Sequence, residues 1–273
     1  MGAIKQMNPS WTIKPDDVQE TTVAVNGKPC RVWRKGRGAP LFYLAGFGGL
    51  PKWTPFLEKL AESRQVVAPS LPGFPGGLGH DQLDGHLDWV LATHDLLRGA
   101  GMQQADLIGV SVGGALAAEI AAIFPQTVRR LVLIAPFGLF DEAEPAADIW
   151  AQRPAELPAL VCADPEKWNW LKAQPEGANS VEWPIAQTRA AEASARYLWP
   201  VGDTRLARRL PRIAAPTLLL WGAEDKVMPF NYARRMAAAI GGETTAQRIE
   251  GAGHLADLDQ PERTATIVLD FLR

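Results

Sequence analysis

The stretch Leu107-Ile108-Gly109-Val110-Ser111-Val112-Gly113-Gly114 constrains this chain more than any other. A short apolar run ends in Gly-x-Ser-x-Gly, and an alanine-rich helical pattern follows at once, from Ala115 to Ala122. A strand that turns so sharply into a helix leaves the turn residue strained, with its side chain exposed at the carboxyl edge of a sheet. Glycines two before and two after the serine remove the Cβ atoms that would clash in that turn. Ser111 is therefore a candidate nucleophile on a nucleophile elbow.

The order of elements around this turn defines the fold class. The segments 18–25 and 31–34 read as two strands joined at Asn26-Gly27, a favoured hairpin dipeptide. Four apolar runs follow, at Leu41-Phe42-Tyr43-Leu44, Val66-Val67-Ala68, Leu107-Ile108 and Leu131-Val132-Leu133-Ile134, each suited to a buried strand. Helical patterns lie between them, over 53–60, 87–97 and 112–124. Strands alternating with helices predict an α/β fold, a mostly parallel sheet wrapped by helices. The alternation stops after Ala135-Pro136. From Phe137 to about Pro211 the chain is rich in Ala, Pro and Trp, with a helical pattern over 186–198 and no convincing strand. Strands resume at Thr217-Leu218-Leu219-Leu220-Trp221 and near Gln247-Arg248-Ile249, and a last helix is expected over 261–271, with Pro261 in its first turn. The expected organisation is a core over 1–136 and 211–273, interrupted by a helical cap over 137–210.

Bulk properties narrow the partners. A chain of 273 residues with 47% hydrophobic and 21% charged residues is ordinary for a globular enzyme. A formal net charge of -2 argues against nucleic acid or an anionic membrane surface, both of which want a strongly basic face. No apolar run approaches the roughly 20 residues of a spanning helix. The first 17 residues hold no apolar core of a secretory signal, and Gln6 stands where a myristoylation pattern starting at Gly2 would want Ser or Thr. Cys30 and Cys162 match no metal or redox spacing and read as isolated buried thiols. A cytoplasmic protein acting on a small molecule fits these features; oligomeric state is not legible.

A serine hydroxyl is a weak nucleophile at neutral pH, so Ser111 needs a base and the base an orienting acid. Of His80, His86, His94 and His254, the first two lie in or beside a glycine-rich loop and the third inside a helical pattern. His254 sits in Glu250-Gly251-Ala252-Gly253-His254, directly after the last strand, where small neighbours let a loop carry the imidazole to the sheet edge. Asp225 lies in the loop after the preceding strand and reaches the same edge; Asp141, after Ile134-Ala135-Pro136, is the other place for the acid. Glu224 reads as a solvated loop charge, and Asp257 and Asp259 as caps of the last helix. The oxyanion formed on attack needs donors already in place. The amide of Val112, at the start of the helix, is one; the amide of Phe47, in Ala45-Gly46-Phe47-Gly48-Gly49 after an earlier strand, is the other.

Taken together, Gly46-Phe47-Gly48-Gly49, Pro72-Gly73-Phe74, Gly109-Val110-Ser111-Val112-Gly113-Gly114, Gly222-Ala223-Glu224-Asp225 with Pro229, and Gly253-His254 resemble the α/β-hydrolase family in order and kind. The resemblance covers nearly the whole chain. It implies an eight-stranded, mostly parallel sheet with a cap inserted after the sixth strand, and Ser111, Asp225 and His254 as the catalytic residues. One departure is that Ala45 stands where the family usually has His.

Half of the ten tryptophans lie in the cap, at Trp150, Trp168, Trp170, Trp183 and Trp199. A cap with little core of its own needs apolar anchors, and it also roofs the site. The expected substrate pocket draws on Gly46, Phe137, Trp150 and Trp183. The cap arginines Arg189, Arg196, Arg205, Arg208 and Arg209 read as solvated or salt-bridged. The expected reaction is hydrolysis of carboxylic esters of small to medium apolar substrates through an acyl-enzyme, with no metal and no organic cofactor. Carbon–carbon hydrolysis of a ring-cleavage diketone is the alternative within the enzyme class. A slow or non-catalytic ligand-binding receptor on the same fold is the alternative from another class.

Overall fold

The computed structural model describes residues 14–176 and 178–273. The expectations drawn from Gly2, Gln6 and the other first residues lie outside this range. Eight strands form one sheet: β1 (Gln19–Val25), β2 (Lys28–Lys35), β3 (Pro40–Leu44), β4 (Gln65–Pro69), β5 (Ala105–Val110), β6 (Val128–Ile134), β7 (Thr217–Gly222) and β8 (Thr244–Ile249). Their spatial order is β1-β2-β4-β3-β5-β6-β7-β8. β1 and β2 pair antiparallel, as do β2 and β4; from β4 to β8 every pairing is parallel. The hairpin turn is Asn26-Gly27, with φ of +49° and +74°, the sign that a two-residue turn of this hand demands.

The central strands are mostly buried. Every residue of β5 and β7 is buried, which is why both read as unbroken apolar runs. Helices cover the two faces: α1 (Pro55–Ala61), α2 (His86–Gly99) and α3 (Ser111–Ile123). α3 is the innermost. Its residues from Ser111 to Ala122 are all buried, and it packs on β5 and β6. Alanine suits it on both counts, since it forms helix well and lets the backbone lie close to the sheet.

Between β6 and β7 the described chain adds helices and no strand: α4 (Leu157–Val161), α5 (Pro165–Lys172) and α6 (Glu182–Leu198). α6 starts earlier than the pattern over 186–198 predicts, because Trp183 extends its buried face. The chain then closes with α7 (Asn231–Ala239), α8 (Ala256–Asp259) and α9 (Pro261–Phe271).

The topology decides where chemistry can occur. β3 and β5 are neighbours in space, yet the chain leaves β3 toward β4 on one side and winds from β5 toward β8 on the other. Such a switch point opens a crevice at the carboxyl ends of the strands. Leu44 pairs with Gly109, Val110 with Ile134, Ile134 with Leu220, and Gly222 with Ile249. The loops that follow β3, β5, β6, β7 and β8 therefore leave the sheet along one edge.

Candidate active site

Ser111 is the first residue of α3 and has φ of +53°, in the left-handed region that non-glycine residues seldom occupy. The glycines around it are there because other backbone is too close. A Cβ at Gly113 would lie 2.5 Å from the carbonyl oxygens of both Leu44 and Ala45, and one at Gly109 would lie 2.5 Å from the Gly113 oxygen. The turn therefore packs directly onto the end of β3.

His254 and Asp225 reach this point from the β8 and β7 loops. His254 Nε2 lies 2.8 Å from Ser111 Oγ, and its Nδ1 lies 3.1 Å from Asp225 Oδ2. Asp225 Oδ1 accepts the amides of Val227 and Met228 at 2.8 and 2.9 Å, which fixes the carboxylate and leaves Oδ2 for the imidazole. Ser111 and His254 are wholly buried. Asp141 is engaged elsewhere: its carboxylate pairs with Arg235 on α7 at 2.6 Å and accepts the Ala143 amide. Glu224 is exposed.

The other histidines stand apart from Ser111. His94 is buried and stacks on Phe124 with 3.7 Å between ring centres. His86 contacts Glu119 at 3.1 Å and stacks on Tyr197, so it faces inward rather than lying on a loop surface. His80 lies 3.6 Å from Glu192. Of the cap arginines, Arg209 forms a bidentate pair with Glu119, both contacts at 2.5 Å, and Arg196 pairs with Glu192. Both cysteines are buried and free, and burial pushes the Cys30 thiol up to about 12.

The loop after β3 lies against the elbow. A Cβ at Gly46 would stand 3.1 Å from the Ser111 Cβ, a tight contact that the glycine avoids. The next residue, Phe47, stacks on Trp168 at 5.9 Å and meets Trp150 edge-on at 6.0 Å. Phe137 bridges Trp150 and His254, at 5.7 and 5.6 Å. Trp168 belongs to α5, and its place over Phe47 was not legible in sequence, where it looked like any cap anchor. Trp183 packs within the cap, donating Nε1–H to the Lys172 carbonyl at 3.0 Å; of the expected pocket residues, Gly46 borders the cavity described next, while Phe137, Trp150 and Trp183 do not.

That cavity is small. It offers about 20 Å³ to the centres of water molecules, room for one or two of them. Gly46, Phe47, Val110, Leu171 and Leu255 give it apolar walls, and Tyr43 and Asp257 a polar side. Ser111 itself is wholly buried beside it.

Asp257 and Asp259 correct the sequence expectation. Neither caps α9, whose N-cap is Gln260 without a side-chain hydrogen bond. Asp259 is buried and accepts the amides of Gly253, Ala163 and Asp164 at 2.7, 2.8 and 3.1 Å, tying the His254 loop to the cap. Asp257 Oδ2 accepts the Tyr43 hydroxyl at 2.8 Å, while Oδ1 is buried with no hydrogen-bond partner. A cap position would be solvated; these carboxylates point inward because α8 is inserted between His254 and α9.

Burial raises the Asp257 carboxyl from 3.8 to about 6. The folded state then holds more protons than the unfolded state between about pH 4 and 6, so this group's contribution to stability falls as pH rises through that window. Asp257→Asn is expected to flatten that part of the profile and to be more stable than the parent at pH 8 by on the order of 2 kcal/mol. Urea unfolding at pH 4.5 and pH 8 checks this; equal pH slopes in the two proteins would refute it.

Comparison with known proteins gives this geometry its relatives. The profile of the alpha/beta hydrolase family matches residues 40–267. The chain belongs to the alpha/beta hydrolase family. It is 29% identical to a 2-hydroxymuconate semialdehyde hydrolase from Pseudomonas sp. strain CF600, over 87% of this chain and 88% of that one. A solved structure of a bacterial membrane phospholipase A is 26% identical and superposes with a TM-score of 0.71, covering 94% of this hydrolase and 86% of the other chain. A Rhodococcus 2-hydroxy-6-oxo-6-phenylhexa-2,4-dienoate hydrolase superposes at a TM-score of 0.76 over 94% and 99% of the two chains; at 19% identity it is a likeness of fold. No helix among the described residues of this hydrolase is long and apolar enough to cross a membrane.

Proposed function

We propose that this hydrolase cleaves carboxylic esters of small to medium, mainly apolar substrates through an acyl-enzyme. The hydrogen-bonded line from Asp225 through His254 to Ser111 carries the reading. In it, Ser111 Oγ attacks the ester carbonyl while His254 Nε2 takes the hydroxyl proton. His254 then returns that proton to the departing alcohol, and the acyl group stays on Ser111. Water, deprotonated by the same imidazole, attacks the acyl-enzyme, and the proton passes back to Ser111 as the acid leaves. Asp225 holds the Nδ1–H and offsets the imidazolium charge. The amides of Phe47 and Val112 are assigned to the oxyanion: Val112 is in the first turn of α3, where amides have no helical partner and the dipole favours negative charge. This chemistry uses no metal and no organic cofactor. The apolar surroundings, from Phe47 and Phe137 to Trp150 and Trp168, support an apolar acyl or alcohol group.

Carbon–carbon hydrolysis of a diketone is the second reading, and one observation favours it besides the relatives. Lys172 of the roof, half-buried as a residue, donates to the Gly48 carbonyl at 3.0 Å and to Gln187 Oε1 at 2.6 Å, with no carboxylate among its described partners. Burial lowers its ammonium to about 7, so it is a charge that a substrate carboxylate would stabilise.

A panel of p-nitrophenyl esters, lactones and ring-cleavage diketones separates the readings, run beside labelling with a fluorophosphonate, which reports an activated serine. The ester reading expects labelling and ester turnover well above diketone cleavage. Diketone cleavage without ester turnover overturns it in favour of the second reading. Failure to label would make the protein a binder on a hydrolase fold.

A further inference from the structure

Asp257 is an anomaly that the proposed reaction does not use. It is 6% exposed, and its Oδ1 finds no hydrogen-bond partner on another residue; the backbone group that bonds the carboxyl is its own amide. A buried acceptor left unpaired costs stability, and a carboxylate costs more than a neutral group. Around it, Tyr43 on β3 donates to Oδ2, while Asp259 on α8 raises its pKa and His254 lowers it. The described ion pairs include no cation for it. The same carboxyl borders the cavity whose other walls include Phe47, Gly46, which meets Ser111, and Val110, which adjoins it in the chain. Tyr43 lies on β3, Val110 on β5 and Asp257 on α8, whereas Leu171 comes from α5, so the acceptor is carried by the core rather than by the cap.

We propose that Asp257 Oδ1 is a specificity-determining acceptor that takes a hydroxyl of the substrate, so that the preferred ester carries a hydroxyl on its acyl or its alcohol part. This rests on the ester reading and names its substrate class. A mainly apolar slot with a few oriented polar groups fixes both the pose and the identity of what fills it. A site built to bond a hydroxyl discriminates against the analogue lacking it, because the buried acceptor is then left unpaired.

Two matched pairs test this: p-nitrophenyl 3-hydroxybutyrate against p-nitrophenyl butyrate, and glyceryl monobutyrate against propyl butyrate. The parent is expected to favour the hydroxylated member of at least one pair by about tenfold or more in kcat/KM. Asp257→Leu, similar in volume but without an acceptor, should bring that ratio to near one. Asp257→Asn keeps the shape and a neutral acceptor and should fall between them, which guards against a Leu variant that does not fold. The same pairs titrated calorimetrically into Ser111→Ala should show the same preference in Kd, with no dependence on turnover. Ratios near one in the parent for both pairs, or a preference that survives in Asp257→Leu, would overturn the proposal and leave the acceptor to a structural water. Failure of the ester reading looks different: no turnover of any member, whether or not Ser111 labels with a fluorophosphonate, while calorimetry still reports on Asp257.

Discussion

Ser111→Ala is expected to lower kcat/KM for a p-nitrophenyl ester by about 10⁴- to 10⁶-fold and to abolish fluorophosphonate labelling. The loss is large because the covalent route ends with the hydroxyl; oxyanion donors and binding alone remain. The fold should be nearly unchanged. Alanine keeps the Cβ that already exists at φ of +53°, and only the 2.8 Å contact to His254 Nε2 is removed. Circular dichroism and a thermal melt beside the kinetics separate loss of chemistry from loss of structure. Turnover within tenfold of the parent, in a folded variant, would remove Ser111 from the mechanism.

Asp225→Asn is expected to lower turnover by about 10³- to 10⁴-fold, although one atom type changes. The Oδ1 acceptor survives, so Val227 and Met228 keep their amide partners and the loop holds its shape. The group facing His254 Nδ1 becomes an amide N–H₂. It drives the imidazole to the tautomer with the proton on Nε2, where it cannot accept from Ser111. Asp141→Asn is the matched control, because that carboxylate pairs with Arg235 at 2.6 Å on α7 rather than with the imidazole. A larger loss in Asp141→Asn than in Asp225→Asn would reverse the assignment of the acid.

Much of the fold was legible because periodicity and punctuation are local. The run Leu107-Ile108, the turn Asn26-Gly27 and the breaks at Ala135-Pro136 and Pro261 each say what the backbone does within a few residues. The structure follows them with small shifts, such as the earlier start of α6. What failed to appear in sequence was non-local. Asp257 and Asp259 looked like solvated caps because acids before a proline-started helix usually are, and nothing nearby showed that Tyr43, more than two hundred positions away, would supply the hydroxyl. Trp183, not Trp168, is the one expected at the pocket, and the roles are reversed for the same reason. Trp168 stacks over Phe47 and Trp183 bonds a carbonyl within the cap.

The sequence by itself determined the elbow at Ser111, the hydrolase resemblance, and which acid and imidazole follow in order, since glycine spacing and strand ends are written into neighbouring residues. Tertiary structure alone decided that β3 and β5 lie side by side at the switch point, so that Gly46 meets Ser111 within a Cβ's width. It also decided what lies around Ser111: an aromatic side chain from α5, and a small cavity edged by the Asp257 carboxyl. The physical reason is one of range. Backbone conformation is fixed by contacts a few residues apart, whereas a pocket is made by side chains brought together across the whole chain, and their packing has no signature in any one of the segments that supply them.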